Sequence, residues 1–328
     1  MTTSLILGAS GMIGQHLTQF LAAKGHKVIG ADRDPILYED LIKPDEFYIT
    51  DLKEFENMEA MVTSDVDEVY HLAAEMGGAG YIFTGENDVD IMINSCAMTT
   101  NLIRCLPNSN IKKVFYSSSA CVYPEHNQLD PLDTTCEETT CYPASPDSEY
   151  GWEKLFAERL FLAYGRKHPD VAVRIGRLHN VFGTHCSWNN GREKAPAALC
   201  RKVIQSNSKI IEMWGPGTQT RSFLYVEECC KAIDRLMNSN CDEPVNIGSE
   251  QRISIQDLVL LIADIAGKEI TPVKRPGPLG VVGRTSDNNM IKRYLDWSPN
   301  EDLRGGLEKT YAWIKAEIDQ GKNDGKRT

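Results

Sequence analysis

The chain has 328 residues, 41% of them hydrophobic and 25% charged, with a formal net charge of -11. This length predicts one large domain with a smaller companion, and the composition excludes a disordered or fibrous protein. The acidity excludes a general nucleic-acid or membrane-surface binder, which needs clustered Lys and Arg, so an anionic ligand must meet a local reversal of sign.

Ten cysteines without a Cys-x-x-Cys pair read as reduced thiols. No run of about eighteen apolar residues predicts a membrane span. A first strand beginning by Leu5 leaves no room for a cleavable signal, and the expected location is the cytoplasm.

Short apolar runs alternate with helical patterns through the N-terminal half: Leu5-Ile6-Leu7, Lys27-Val28-Ile29, Phe47-Tyr48-Ile49, Val69 to Leu72, Val114-Phe115-Tyr116 and Val171-Ala172-Val173. Strands without polar alternation, separated by helices, predict a doubly wound α/β parallel sheet covered on both faces. Residues 1–178 are expected to form this Rossmann domain, with segments near 218–247 returning to it. Residues 179–328 read as a smaller, loop-rich, substrate-capping α/β domain, with an isolated helix over Ile255 to Ala266. The polar tail Gln320 to Thr328 is expected to fray.

After the first strand comes Gly8-Ala9-Ser10-Gly11-Met12-Ile13-Gly14, opening a helix over Gln15 to Ala23. Glycines allow the tight turn and the close approach of a pyrophosphate to the helix N-terminus. Gly8, Gly11, Met12, Ile13 and Gly14 are therefore cofactor candidates. Asp32 ends the second strand where a carboxylate meets adenosine ribose hydroxyls, which favours NAD over NADP, although Arg33 beside it is a cation that a 2′-phosphate would accept. Asp51 after the third strand is expected to reach the adenine. Ala73 after the fourth would let the cofactor lie close, and simple packing explains it equally.

The run Ser117-Ser118-Ser119-Ala120-Cys121-Val122-Tyr123-Pro124 follows the fifth strand, and Tyr150-Gly151-Trp152-Glu153-Lys154 follows it in turn. Tyr150 and Lys154 share a helix face. A phenol used as a base near neutrality needs a shift of about three units, or about 4 kcal/mol. An ammonium at about 4 Å supplies on the order of that at an effective dielectric of 20.

With the glycine turn, the serine cluster and Tyr-x-x-x-Lys in place, the chain resembles the extended short-chain dehydrogenase/reductase family, in its NAD-dependent epimerase/dehydratase branch, over nearly its whole length. The resemblance implies an enzyme that uses NAD, with Ser119 as a third hydroxyl partner of the substrate. Members acting on nucleotide sugars oxidise C4, which acidifies the hydrogens on C3 and C5. Dehydratases tend to carry a glutamate at the position of Cys121, and simple 4-epimerases need no base there. A thiol suits reversible proton exchange, and Lys194, in Gly191 to Ala197, is the candidate for the opposite face of the ring. From chemistry alone Cys121 reads equally as a small buried hydrophobe, and Lys194 as a solvated loop charge.

Longer strings narrow the resemblance to members that act on a GDP-linked hexose: residues 73–78, 118–124, 191–198, 212–215, 219–223, 245–249 and 283–289. Cys121 and Lys194 are then the implied acid/base pair, Tyr150 serves the C4 hydroxyl, and Lys154 holds the cofactor ribose. Gly78, Asn180, Glu193, Lys202, Gln219, Arg221 and Arg284 match positions that contact the nucleotide sugar, and Lys202 and Arg284 supply positive charge for a diphosphate. The loop Thr184 to Ser187 with Asn189-Asn190 departs from the family's glycine-richer pattern. His185 with Cys186 lacks further metal ligands, and no metal is expected. A homodimer is expected from family habit and from apolar Ile91, Met92, Ile93 and Leu102. The rival readings are a 4-epimerase or 4,6-dehydratase on another nucleotide sugar and, from another class, an NAD-binding redox regulator.

Overall fold

Each predicted strand is present in the structure, a computed structural model that describes residues 1–38, 40–132 and 136–322. In chain order the first elements are β1 (Thr3–Leu7), α1 (Met12–Ala23), β2 (Lys27–Asp32), β3 (Glu46–Ile49), α2 (Phe55–Met61), β4 (Glu68–His71), α3 (Ala79–Ile82) and α4 (Asp88–Cys105). They continue with β5 (Lys113–Ser119), α5 (Glu149–Lys167) and β6 (Ala172–Leu178). Beyond the strand Val181–Phe182, α6 (Ala195–Gln205) and α7 (Val226–Met237) follow. Residues 323–328 of the polar tail lie outside the described residues.

The strands pair in the order Val245–Ile247, β6, β5, β4, β1, β2, β3, and every pairing is parallel. The chain winds outward from β1 in both directions, so β1 and β4 flank the topological switch point where such sheets bind ligands.

The absence of polar alternation has a direct physical cause. Ile6, Val28, Tyr70 and Phe115 enter one core layer, whereas Leu5, Leu7, Ile29, Val69, Val114 and Tyr116 enter the other. Both faces are dry, so neighbouring residues are apolar alike. The first layer runs on without a break into the later chain, through Phe182, Leu199, Cys200, Ile233, Leu258 and Ile314. The strand Val245–Ile247 returns to the sheet, and α7 packs beneath it. No helix among the described residues is long and apolar enough to cross a membrane.

Three histidines are sealed in this interior. His16 Nε2 lies 3.3 Å from the Thr184 carbonyl, His71 Nε2 lies 3.1 Å from Thr99 Oγ1, and His179 Nε2 lies 2.9 Å from Asn246 Oδ1. Burial lowers their pKa values to about 4, 3 and 3, respectively. An unfolded chain takes up protons at these sites near pH 6.5 while the native one does not, so native stability is complete above that pH and declines as pH falls towards 4. Each histidine costs on the order of 2 kcal/mol at pH 5. Denaturant titrations from pH 7 to 5 should show the midpoint falling at constant m-value, and His71→Asn should flatten that dependence by about one proton.

Candidate active site

The glycine turn between β1 and α1 is shaped by contact. Gly8 has φ of +92°, and a Cβ on it would stand 2.7 Å from the Ala73 nitrogen. On Gly14 a Cβ would stand 2.3 Å from the Gly8 carbonyl oxygen. Helix α1 starts at Met12, three residues before the predicted Gln15, with Gly11 as a cap that has no side-chain hydrogen bond and no acid in the first turn. Its positive end is therefore not neutralised from within the helix, which suits an anion. Met12 and Ile13 form that first turn and are partly buried against the core.

Asp32 Oδ2 accepts the Ser10 N–H at 2.9 Å, which ties the acid at the end of β2 to the glycine turn. Arg33 is engaged elsewhere, donating to Glu75 Oε2 at 3.1 Å. Asp51 Oδ1 accepts the Lys53 N–H at 3.0 Å. A turn no side chain can enter, an uncapped helix start and a carboxylate at the strand end together fit a dinucleotide with unphosphorylated ribose.

At the end of β5 the three serines separate. Ser117 Oγ donates to the His71 carbonyl at 3.0 Å and Ser118 to Glu158, both inside the fold. Ser119 Oγ accepts the Cys121 N–H at 3.2 Å and hydrogen-bonds with the Tyr150 phenol. Ser148 caps α5 by accepting the Gly151 N–H at 3.2 Å. A Cβ on Gly151 would sit 2.2 Å from the Cys121 carbonyl oxygen, so only glycine lets the helix press onto the thiol turn. Cys121 and Tyr150 pack in one small cluster with Ile82 and Ile91.

The thiol has a partner that the sequence did not disclose. Arg284 Nη1 is 3.1 Å from Cys121 Sγ, its Nε donates to Gln128 Oε1 at 2.6 Å, and its Nη2 donates to Asp147 Oδ2 at 3.2 Å. A fixed cation, expected at a diphosphate, here lies against the sulfur. Arg221, close enough to Arg284 for its pKa to fall to about 10 through burial and that repulsion, donates to the Leu279 and Val281 carbonyls.

Electrostatics also depart from the sequence-based expectation. Burial, then the proximity of Cys121 and Glu153, push the Tyr150 phenol up, and only the Ser119 hydrogen bond and Arg284 oppose this. Lys154 Nζ lies 5.6 Å from the Tyr150 ring centroid and 4.9 Å from that of Tyr116, with the Glu153 carboxylate at 3.8 Å. Its charge is thus shared with Glu153, and it does not bring the phenol to neutrality unaided.

Lys194 caps α6 from its N-terminal side, and its Nζ donates to the Val181 carbonyl at 3.5 Å. Burial lowers its pKa, and Cys121 is the largest influence opposing that. Gly78 N–H donates to the Arg192 carbonyl at 2.9 Å, and a Cβ on Gly78 would meet the Glu193 carbonyl at 2.2 Å. Glu193 Oε1 pairs with Arg201 at 3.3 Å. Asn180, at φ of 42°, donates to the Ser222 carbonyl at 2.9 Å. Gln219 Nε2 donates to the Trp214 carbonyl at 2.8 Å, and its buried Oε1 has no hydrogen-bond partner among the described residues. Lys202 lies two turns further along α6, about 12 Å from Lys194, and donates to the Glu212 carbonyl at 2.9 Å. The structure gathers Ser119, Cys121, Tyr150, Arg221 and Arg284, brings Lys194 within electrostatic reach of the thiol, and leaves Lys202 apart.

A sheet with this switch point, glycine turn and Tyr-Lys helix defines a nucleotide-cofactor enzyme. The chain belongs to the NAD dependent epimerase/dehydratase family, which it matches over residues 4–248. It is 43% identical over 322 residues to GDP-mannose 3,5-epimerase of Arabidopsis thaliana, covering 98% of this chain and 84% of that one. UDP-glucose 4-epimerase of Thermotoga maritima, solved with UDP-glucose, shares the fold with a TM-score of 0.83 at 24% identity, over 97% of this chain and 100% of that one. A mutant UDP-glucuronic acid 4-epimerase from Bacillus cereus, in complex with a fluorinated UDP-sugar and NAD, superposes with a TM-score of 0.77 at 25% identity, over 96% and 99% of the two chains.

The Gly14 contact gives a specific expectation. Gly14→Ala should weaken NAD binding at least about tenfold and lower stability by about 1–3 kcal/mol, because the helix start must move off the turn. Calorimetric NAD titration and thermal unfolding check both.

Proposed function

We propose that this nucleotide-sugar epimerase converts GDP-mannose to GDP-L-galactose, with GDP-L-gulose as the C5-only product, by transient oxidation at C4. One observation carries the reading: the Cys121 thiol packs with Tyr150 and is tied through its N–H to Ser119, with the Lys194 amine within electrostatic reach. A 4-epimerase has no use for that thiol.

In this reading Gly8, Gly11, Met12, Ile13, Gly14, Asp32, Asp51 and Ala73 hold NAD, and Lys154 holds its ribose. When bound, NAD supplies a reversible hydride acceptor with a cationic ring. Tyr150 takes the proton of the C4 hydroxyl while Ser119 orients that oxygen. The resulting ketone makes the C3 and C5 hydrogens exchangeable. Cys121 and Lys194 then remove and deliver protons on opposite faces, and Tyr150 returns its proton at the end. Burial favours the protonated phenol, so Tyr150 holds a proton to return in that last step. Gly78, Asn180, Glu193, Gln219, Arg221 and Arg284 line the path of the nucleotide sugar, and Lys202, set apart from them along α6, would meet only its far end.

Incubation with GDP-mannose in deuterium oxide tests this directly. Label should enter C3 and C5. Label at C6 indicates dehydration, none indicates 4-epimerisation, and tight NAD binding with no sugar altered supports the regulator. Cys121→Ala should slow label incorporation by about 10²–10⁴-fold while reduced-nicotinamide absorbance from C4 oxidation remains. Normal epimerisation by that variant removes the thiol from the mechanism.

We also infer a homodimer built on α4 and α5, which pack together. Ile91 and Leu102 are fully buried within the subunit and so drop out of the expected interface, whereas Val89 and Ile93 on α4 and Trp152 and Phe156 on α5 are exposed. Tyr142, Trp152, Leu155, Phe156 and Arg159 line a shallow groove of about 500 Å³ there. Phe156→Glu should shift the species seen by light scattering from twice the 36.7 kDa chain mass to the monomer. A wild type already monomeric at micromolar concentration overturns this.

A further inference from the structure

Glu75, just beyond β4, is 4% exposed yet gathers groups from four segments. Its Oε1 accepts from Arg192 Nη1 at 2.7 Å and from the Tyr81 hydroxyl at 2.8 Å. Its Oε2 accepts from Arg33 Nη1 at 3.1 Å and from Asn94 Nδ2 at 3.4 Å. Its own N–H donates to Ser95 Oγ at 3.0 Å, which anchors the backbone to α4. Burial alone would raise the carboxyl's pKa, but Tyr81, Arg33 and Arg192 together hold it below the ordinary value, so the group is an anion between two guanidinium ions.

The Arg192 side is the informative one. Its guanidinium also reaches the Met76 carbonyl at 3.4 Å and lies 4.3 Å over the Tyr81 ring, and its own carbonyl accepts the Gly78 N–H at 2.9 Å. The next residue, Glu193, touches Gly78 so closely that no Cβ fits between them. The residue after that is Lys194, the N-cap of α6. On the far side stands Gly191, at φ of +86° with nothing within 4 Å of where a Cβ would be. The segment 192–194 is thus fastened along 75–81 on one flank and open on the other.

We infer that Glu75 is the positioning residue for Lys194, acting through the charge pair with Arg192 that fixes the lysine's loop against the sugar ring. This rests on the proposed role of Lys194 in proton exchange. Proton transfer to carbon tolerates little misplacement, and a shift of about 1 Å costs on the order of 10²-fold. The proton of the C4 hydroxyl is handled by Ser119 of β5 and Tyr150 of α5, and none of the hydrogen bonds of Glu75 described above reaches either element. Its loss therefore separates two steps that a general loss of structure would slow together.

The test compares wild type, Glu75→Gln, Arg192→Met, their double variant and Lys194→Ala, all loaded with NAD and GDP-mannose. Two readouts are taken: deuterium incorporation at C3 and C5, and the single-turnover rise of reduced-nicotinamide absorbance. Glu75→Gln and Arg192→Met should each slow incorporation about 10- to 100-fold while the absorbance rate stays within about twofold. The double variant should be no slower than the slower single one, because both remove the same contact. Equal loss in both readouts, no loss in incorporation, or additive losses overturns the inference. Should Glu75→Gln not fold, Arg192→Met reads the same contact from the partly exposed side. Absence of label with wild type, or normal incorporation by Lys194→Ala, sinks the underlying reading instead.

Discussion

The site depends on one steric constraint, the contact of α5 with the turn that carries the thiol. A Cβ on Gly151 would meet the Cys121 carbonyl oxygen at 2.2 Å. Without that approach, Tyr150 and Cys121 could not share one cluster, and Ser119 could not hydrogen-bond to both the phenol and the thiol's own N–H. Ser148, the cap of α5, and Asp147, a partner of Arg284, sit just before the contact, so one short segment sets the helix and the guanidinium together. A larger residue at 151 would lift the Tyr150 helix away from the thiol turn.

The fold was legible because burial on two sides leaves a simple mark. Wherever both layers of core claim alternate residues, as at Leu5, Ile6 and Leu7 or Val114, Phe115 and Tyr116, a strand reads as an unbroken apolar run. The Tyr-Lys spacing was equally plain, since four residues span one helical turn. The Arg284–Cys121 contact was not, because 163 residues separate the partners and no local period links them. Glu75 escaped for the same reason: it lies inside a string recognisable as a whole, and nothing within that string tells which residue binds a loop more than a hundred positions away. Helix α1 was read three residues late because Met12 and Ile13 belong both to the glycine turn and to the first helical turn.

Charge in this acidic chain is organised by depth. Exposed carboxylates give the molecule its net charge of -11, yet the groups buried around the thiol are the guanidinium ions of Arg221 and Arg284, with Asp147 as a buried acid among them. Arg284 keeps its proton with ease, since the thiol and Asp147 more than offset its burial. Arg221 is instead satisfied by backbone carbonyls and feels its neighbour's repulsion. Two cations that repel in the resting protein gain most from a bridging polyanion, and the diphosphate of a nucleotide sugar has the required charge. In the proposed reaction, binding energy from the remote part of the substrate would thus relieve a repulsion placed beside the thiol.

The same logic applies to Tyr150. In isolation the phenol is held neutral by burial, by Cys121 and by Glu153, while Lys154 spends part of its field on the Glu153 carboxylate 3.8 Å away. A tyrosine already ionised at rest would be a poor donor when the ketone is reduced, and one that never ionised could not start the oxidation. NAD held at the glycine turn would supply the missing positive charge in its oxidised, cationic form. Under the proposed mechanism the phenol's affinity for its proton would therefore follow the redox state of the nicotinamide ring. In the proposed reaction a thiol and an amine acting between those two states would work only while the sugar is a ketone, which is the interval in which its ring hydrogens can be exchanged.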